Sequence, residues 1–588
     1  MSKVLKFVSS LIFVTVLALV ALPQLWYPFG FDQMVYAACG DVIRLGGVPI
    51  RDCFETKQMG VMVMYAIAMS FSPSAWAVHA FTLLWQAITS LVIARIARDV
   101  FGPRAAWVAA TLYWLMYAGI NYWSMDQAET FCNLFLALAF WAMVREPRAK
   151  NQEPRAKSQE PRIKNQEPRI SQSTLNSQLS TLSTQPSALS TQLSALNPQH
   201  SALLLAGVCI GVTFWFKYIF VLAGMGFGLL LILQLFLNRR SLNLGSGFLV
   251  LGSFALGAVL PMLLGVLYYA LQTDGLQTLL AQLNFLRENF PLTEPLPPDG
   301  MARMMLRFFD NGADVSGDFK RTLGPATAAA NVLGGGFPLV LLLGAIGIGR
   351  GLKLKPLAIV YLIAYLVTTI VLCIWQGNYI QYHFTLMHVP VALLAGAAFA
   401  EKDGASTGDR SPTDGSPTRL YGGGGVFVVA VALLIYRMTP MMLDAYDNVL
   451  VQHKSLRDQY LESKQGAHIP ISEYIRDKTS PDDSIAIFGD APWVYTLAGR
   501  RNATRFSFVN VWIKKRGTPS YALHVQQYVD GLSRNKPLYV ILTKADFPWL
   551  NNDYLADYKL ATPIYNYVEA NYAYEGENGP FLLFRRKN

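Results

Sequence analysis

Between Asp32 and Lys57 the chain gathers seven ionisable side chains: Asp32, Asp41, Arg44, Arg51, Asp52, Glu55 and Lys57. They fall in the stretch 28–60, PFGFDQMVYAACGDVIRLGGVPIRDCFETKQMG, directly after the first apolar run. Such a group at the mouth of an apolar bundle is either a working site or a set of solvated loop charges. Asp32, at the end of the run, suits a general base toward a hydroxyl or amine, or simply an interfacial charge that ends a span. Asp52 and Glu55, three residues apart, can share a divalent cation, and Lys57 can meet a phosphate, although D-x-x-E also arises by chance.

Further along, MDQAETF places Asp126 and Glu129 at the head of another apolar run. On a helix the two share a face, as part of a site or as first-turn acids favoured by the helix dipole. Lys217 interrupts FWFKYIF, where a charge faces a cavity or snorkels to the interface. Tyr379, Tyr382 and His383 in GNYIQYHF complete the set, with a structural histidine as the plainer reading of His383.

The elements that must position these groups are membrane spans. Of the 588 residues 53% are hydrophobic and only 15% charged, against about a quarter charged in soluble domains. Mean hydropathy is +0.30. The runs 4–25, 75–97, 105–120, 127–144, 202–219, 220–237, 246–270, 336–350, 356–375, 380–400 and 424–438 make about eleven spans. The segment 59–71 is too short to cross and fits an interfacial helix in the first outer loop. Basic turns at 95–104, 145–170, 238–240 and 350–355 then all fall on one side, which puts the N-terminus in the cytoplasm and the C-terminus outside. The net charge of +11 sits largely in those turns, so it does not indicate nucleic acid.

The repeat EPR[AI]K[NS]Q at 146, 153 and 160 carries proline every seven residues, which excludes a continuous helix. Residues 145–200 read as a disordered cytoplasmic insertion, and 271–335 as a long outer segment. The membrane part is expected to cover 1–438 and a soluble outer α/β domain 439–588. Strands are predicted near 484–489, 538–543 and 579–584, with a helix at 521–534. In that domain Asp490, Trp493 and Tyr495 are candidates for exposed acceptor contacts, or else ordinary packing residues. Of five cysteines, Cys132, Cys209 and Cys373 lie in apolar runs; Cys39 and Cys53 share the charged loop, where a disulfide and two free thiols are both open.

The ordered set of a first span, Asp32, and then G-x-x-P-x-R-D-x-F-E-x-K over 46–57 resembles the membrane glycosyltransferases of the C superfamily. The nearest group is similar to the family 39 and protein-mannosyltransferase-like enzymes, with bacterial aminoarabinose transferases as relatives. Gln58 and Met59 stand where that group usually carries paired prolines, so the following helix is expected to start differently. Glu129, Lys217 and the Tyr382–His383 pair resemble the family's acidic, basic and H/Y-bearing positions.

The resemblance implies a transferase that takes a sugar from a polyprenyl-phosphate donor outside the cytoplasm, in a bacterial inner membrane. Asp32 is then the catalytic base, with Glu129 also catalytic. Arg51, Lys57, Lys217, Tyr382 and His383 bind the donor phosphate, Glu55 and Asp52 hold a divalent metal if there is one, and the anomeric centre inverts. The acceptor is left open between lipid, glycan and protein. A transporter or flippase for lipid-linked saccharides is the alternative, and an inactive scaffold a third; neither gives the charged first loop a task.

Overall fold

The computed structural model describes residues 3–120, 123–145, 198–237, 244–289, 336–376, 381–401, 421–463, 465–544 and 553–588. Nearly all of the 145–200 insertion, most of the outer segment 271–335 and Tyr379 lie outside the described residues.

Each of the eleven apolar runs coincides with a helical segment. Six helices are individually long and apolar enough to cross a membrane, or seven spans if one bent pair is counted as a unit. Helices such as Ala128–Val144, at 17 residues, are apolar but short. Length and apolarity therefore mark fewer crossings than the sequence pattern does. The Met59–Met69 helix expected at the interface is buried along most of its length, packed beside Phe31–Arg44.

The bent pair is Leu11–Trp26 and Phe31–Arg44, which meet at 75°. Pro23, Pro28 and Gly30 cannot continue the first helix, and Gly30, in extended backbone, caps the second. The Gly30 amide donates to the Gln33 side chain, which fixes the new start. Asp32 thereby enters the first turn of a fresh helix, where the dipole favours a carboxylate. A disulfide between Cys39 and Cys53 joins this helix to the loop that follows it.

Glycine allows close helix contacts. A Cβ at Gly207 would lie 2.1 Å from the Phe254 carbonyl oxygen, and one at Gly257 2.2 Å from that of Leu204. The helices Pro198–Phe214 and Leu244–Ala270 thus approach through bare backbone, as helices in lipid commonly do.

The C-terminal part forms one five-stranded sheet of order β2-β1-β3-β5-β4, from β1 Ser484–Phe488, β2 Arg501–Asn502, β3 Tyr539–Thr543, β4 Tyr572–Asn578 and β5 Phe581–Arg586. The first three strands are parallel and β5 pairs antiparallel on either side. The predicted strands and the 521–534 helix (Pro519–Asn535) are all present. Asp490, Trp493 and Tyr495 are buried, which corrects their reading as exposed contacts. Tyr554 donates to Asp490 at 2.5 Å, the Tyr495 hydroxyl accepts from the Ile487 amide at 2.8 Å, and Trp493 meets Phe29 edge-on.

The sheet domain is stapled onto the charged loop. Phe54 inserts among Phe285, Phe506 and His524, with ring centroids 4.8–5.3 Å away. The Phe54 amide donates to the Arg505 carbonyl at 2.6 Å, and Arg505 Nη2 donates to the Ile50 carbonyl at 2.5 Å. Burial pushes the His524 imidazole down to about 3, with the Arg505 charge adding to the effect.

His524 gives the domain a pH-dependent stability of known sign. The unfolded chain takes up this proton near about pH 6.5 while the folded chain stays neutral. Stability is full above that pH and falls as pH drops toward 3, by at most about 1.4 kcal/mol per unit. Thermal unfolding of wild type and His524→Phe at pH 7.5 and 5.5 (about one unit either side of the unfolded value) should show the smaller acid-induced drop in the variant. Equal drops would contradict the assignment.

Candidate active site

Asp32 lies at the mouth of the helical part with two partners on one oxygen. Lys57 Nζ is 3.4 Å and the Tyr382 hydroxyl 2.9 Å from Asp32 Oδ2. Among the described residues both contacts fall on Oδ2, which leaves Oδ1 for a proton. Lys57 also lies 3.9 Å from Glu55 Oε1 and sits over the Tyr36 ring. Burial works against the Lys57 charge, but Asp32, then Glu55 and Glu129, outweigh it and raise its pKa. Burial raises the Glu55 carboxyl above the usual range in spite of Lys57.

Behind this pair lies a second group, in which Glu129 and His383 are buried and Lys217 and Gln376 partly so. Lys217 Nζ donates to Glu129 Oε1 at 3.2 Å and also to the Gln376 side-chain oxygen, and it stands 3.4 Å from His383 Nε2. His383 Nε2 is itself 3.9 Å from Glu129 Oε1. Four segments meet here: the first turn of Ala128–Val144, the break between Pro198–Phe214 and Tyr218–Val221, the end of Pro356–Trp375, and the 3-10 turn Gln381–Met387. Lys217 is in extended backbone at that break, so its chain turns inward instead of running along a helix face. Adjacent Tyr382 and His383, with rings edge-to-face at 4.7 Å, join the two groups.

The structure thus brings Asp32, Glu55, Lys57, Glu129, Lys217, Tyr382 and His383 together. It places three others elsewhere. Arg51 forks onto Asp52 at 2.8–2.9 Å and donates to the Thr273 carbonyl, so its charge is already paired. The Asp52 carboxylate also accepts from the Val48 amide, whereas Glu55 Oε1 folds back onto Thr56 and the Lys57 amide. The two acids are not turned toward a common point, and among the described residues no group of three His, Cys, Asp or Glu side chains is set to hold a metal.

Asp126 and Glu129 do not share a helix face. The helix begins only at Ala128, and Asp126 precedes it in left-handed backbone, φ 54°. Its carboxylate accepts from His79 Nδ1 at 2.6 Å and from Gln33 at 3.3 Å, and so braces the start of the Asp32 helix. Gln376, Tyr36 and Gln282 belong to the site's surroundings and have no motif. The one hint is that Gln376 is a polar residue closing an apolar run.

Residues 59–154 match the family model described as dolichyl-phosphate-mannose-protein mannosyltransferase. The crystal structure of ArnT from Cupriavidus metallidurans bound to undecaprenyl phosphate is similar at TM-score 0.53 and 12% identity, over 98% of this chain and 97% of that one. The fold is that of ArnT. ArnT in the apo state gives TM-score 0.50 at 10% identity, over 99% and 98%. Archaeal oligosaccharyltransferase AglB from Archaeoglobus fulgidus, in complex with an inhibitory peptide and a dolichol-phosphate, is more distant at TM-score 0.43 and 12% identity, over 98% and 74%. No curated protein matches the sequence. The likeness to ArnT spans the sheet domain as well as the helices.

The buried pair sets a test within this fold. Lys217→Met strands the Glu129 charge and Glu129→Gln strands that of Lys217, each at a cost of about 3–5 kcal/mol. The double variant should lose clearly less than the two singles combined in thermal unfolding of the purified protein. Simple additivity would mean that the two side chains do not depend on each other.

Proposed function

We propose that this chain transfers a sugar from a polyprenyl-phosphate donor to an acceptor on the non-cytoplasmic face of the membrane, with Asp32 as the base. The observation that carries the reading is the Asp32 carboxylate held between Lys57 and Tyr382, with Lys217 behind it. A family model named for a dolichyl-phosphate-mannose enzyme and a fold shared with an undecaprenyl-phosphate-bound protein support the donor class.

The acceptor O–H or N–H gives its proton to Asp32 Oδ1 as its heteroatom bonds the anomeric carbon. The bond from that carbon to the phosphate oxygen breaks, and its electron pair leaves with the phosphate. Lys57, and Lys217 beyond it, offset the developing charge. Tyr382 donates to Oδ2 and holds the carboxylate in one orientation. A single displacement of this kind inverts the anomeric centre. Asp52 and Glu55 do not fit a shared cation, and a chelator is expected to leave turnover unchanged.

The disulfide supports the assignment of sides, because such bonds persist where the surroundings are oxidising. On that ground we read the loop as outside, in keeping with the proposed cytoplasmic N-terminus and bacterial inner membrane.

Purified protein in nanodiscs, given a panel of polyprenyl-phosphate sugars, should consume one of them. Asp32→Asn should lower kcat by about 10²–10⁴-fold while the donor still binds. Lys57→Met should chiefly raise the donor KM. Turnover unchanged in Asp32→Asn, or no donor bound from the panel, would sink the reading.

A further inference from the structure

We infer that the Cys39–Cys53 disulfide is a positioning device that sets Lys57 against Asp32, so the site forms only when the bridge is closed. This rests on the reading of that pair as the transfer site. Cys39 lies seven residues after Asp32, two turns along the same helix and on the same face. Cys53 precedes Glu55 by two residues and Lys57 by four. The bridge therefore ties the helix that begins with the base to the loop that ends with the cation.

The other anchors of this loop lead elsewhere. Phe54 is bound to Arg505 of the sheet domain, and Gln282 donates to the Glu55 and Lys57 carbonyls at 2.6 and 3.2 Å. Beyond Lys57 the chain enters Met59–Met69, which packs on the Asp32 helix through Tyr65 and Tyr36. Lys57 is thus fixed on its C-terminal side by helix packing. On its N-terminal side the bridge supplies the link back to the same helix. The Lys57–Asp32 contact, one bond of 3.4 Å, is a weak restraint on a side chain with about 2 kcal/mol of rotamer entropy to lose.

Both cysteines are buried, at 0% and 1% exposure, and Cys53 lies against Ser507 of the sheet domain. Closure accordingly belongs to maturation. Two thiols give up two protons and two electrons to an external disulfide, which leaves as a dithiol. The chain is then a client of a thiol–disulfide exchange partner before it is a transferase.

The test compares wild type with Cys39→Ala/Cys53→Ala, each with and without Lys57→Met, in nanodiscs after thermal melts confirm folding. The first readout is labelling of Lys57 by an amine-reactive reagent, followed by mass spectrometry. The unbridged protein should label about tenfold faster, as should Asp32→Asn with the bridge intact. The second is binding of polyprenyl phosphate without sugar. Lys57→Met should weaken it about tenfold in the bridged protein and hardly at all in the unbridged one. Equal labelling rates would overturn the positioning role, and so would an equal effect of Lys57→Met in both backgrounds. If the double alanine variant does not fold, Cys39→Ser/Cys53→Ser and wild type reduced and alkylated on unfolding, then refolded, give the same labelling comparison. Wild type that binds no polyprenyl phosphate would overturn the transferase reading alone, and the labelling would still decide the bridge.

Discussion

A charge taken out of water must be answered nearby, and Lys217 is the charge this structure is built to answer. Its ammonium group meets Glu129, and Gln376 and His383 some 250 residues later in the chain. Lys217 and Glu129 depend on each other there, since an unpaired ion inside a bundle costs several kcal/mol. The break in the helix before Tyr218 follows from this requirement. A continuous helix would carry Lys217 along one face, whereas extended backbone at that point lets it reach the centre. The same charge cluster stands directly behind Asp32 and Lys57, so the mouth of the site has a fixed floor.

The sheet domain supplies the other wall. Phe54 buried among its aromatics, and Phe29 and Phe31 against Trp493 and Phe508, make the first loop part of two hydrophobic cores at once. The loop that carries Glu55 and Lys57 is therefore clamped between the helices and the domain. A carboxylate and an ammonium held apart from bulk water interact far more strongly than the same pair at a free surface.

Much of this was legible in the sequence because membrane helices announce themselves by length and apolarity. Asp32, Lys57, Glu129, Lys217 and His383 stood out since each interrupts or borders an apolar run. The strands SIAIF and YVILT were legible for the same reason, as short apolar runs between turns. Three things were not. The direction a side chain takes is a tertiary fact, so Asp126 and Glu129 appeared paired although left-handed backbone at Asp126 separates them. Arg51 looked available because its partner is simply the next residue. The role of Phe54 lay hidden, since an aromatic in a charged loop gives no sign of the domain, some 450 residues later, that receives it.

The central claim is that donor phosphate and acceptor meet at Asp32, Lys57 and Lys217. It is tested most directly by a structure of the protein in nanodiscs with polyprenyl phosphate bound. The account predicts phosphate density within hydrogen-bonding reach of Lys57, with Asp32 Oδ1 facing open space beside it. Phosphate held at Arg51, or anywhere beyond the reach of both Lys57 and Lys217, would contradict it.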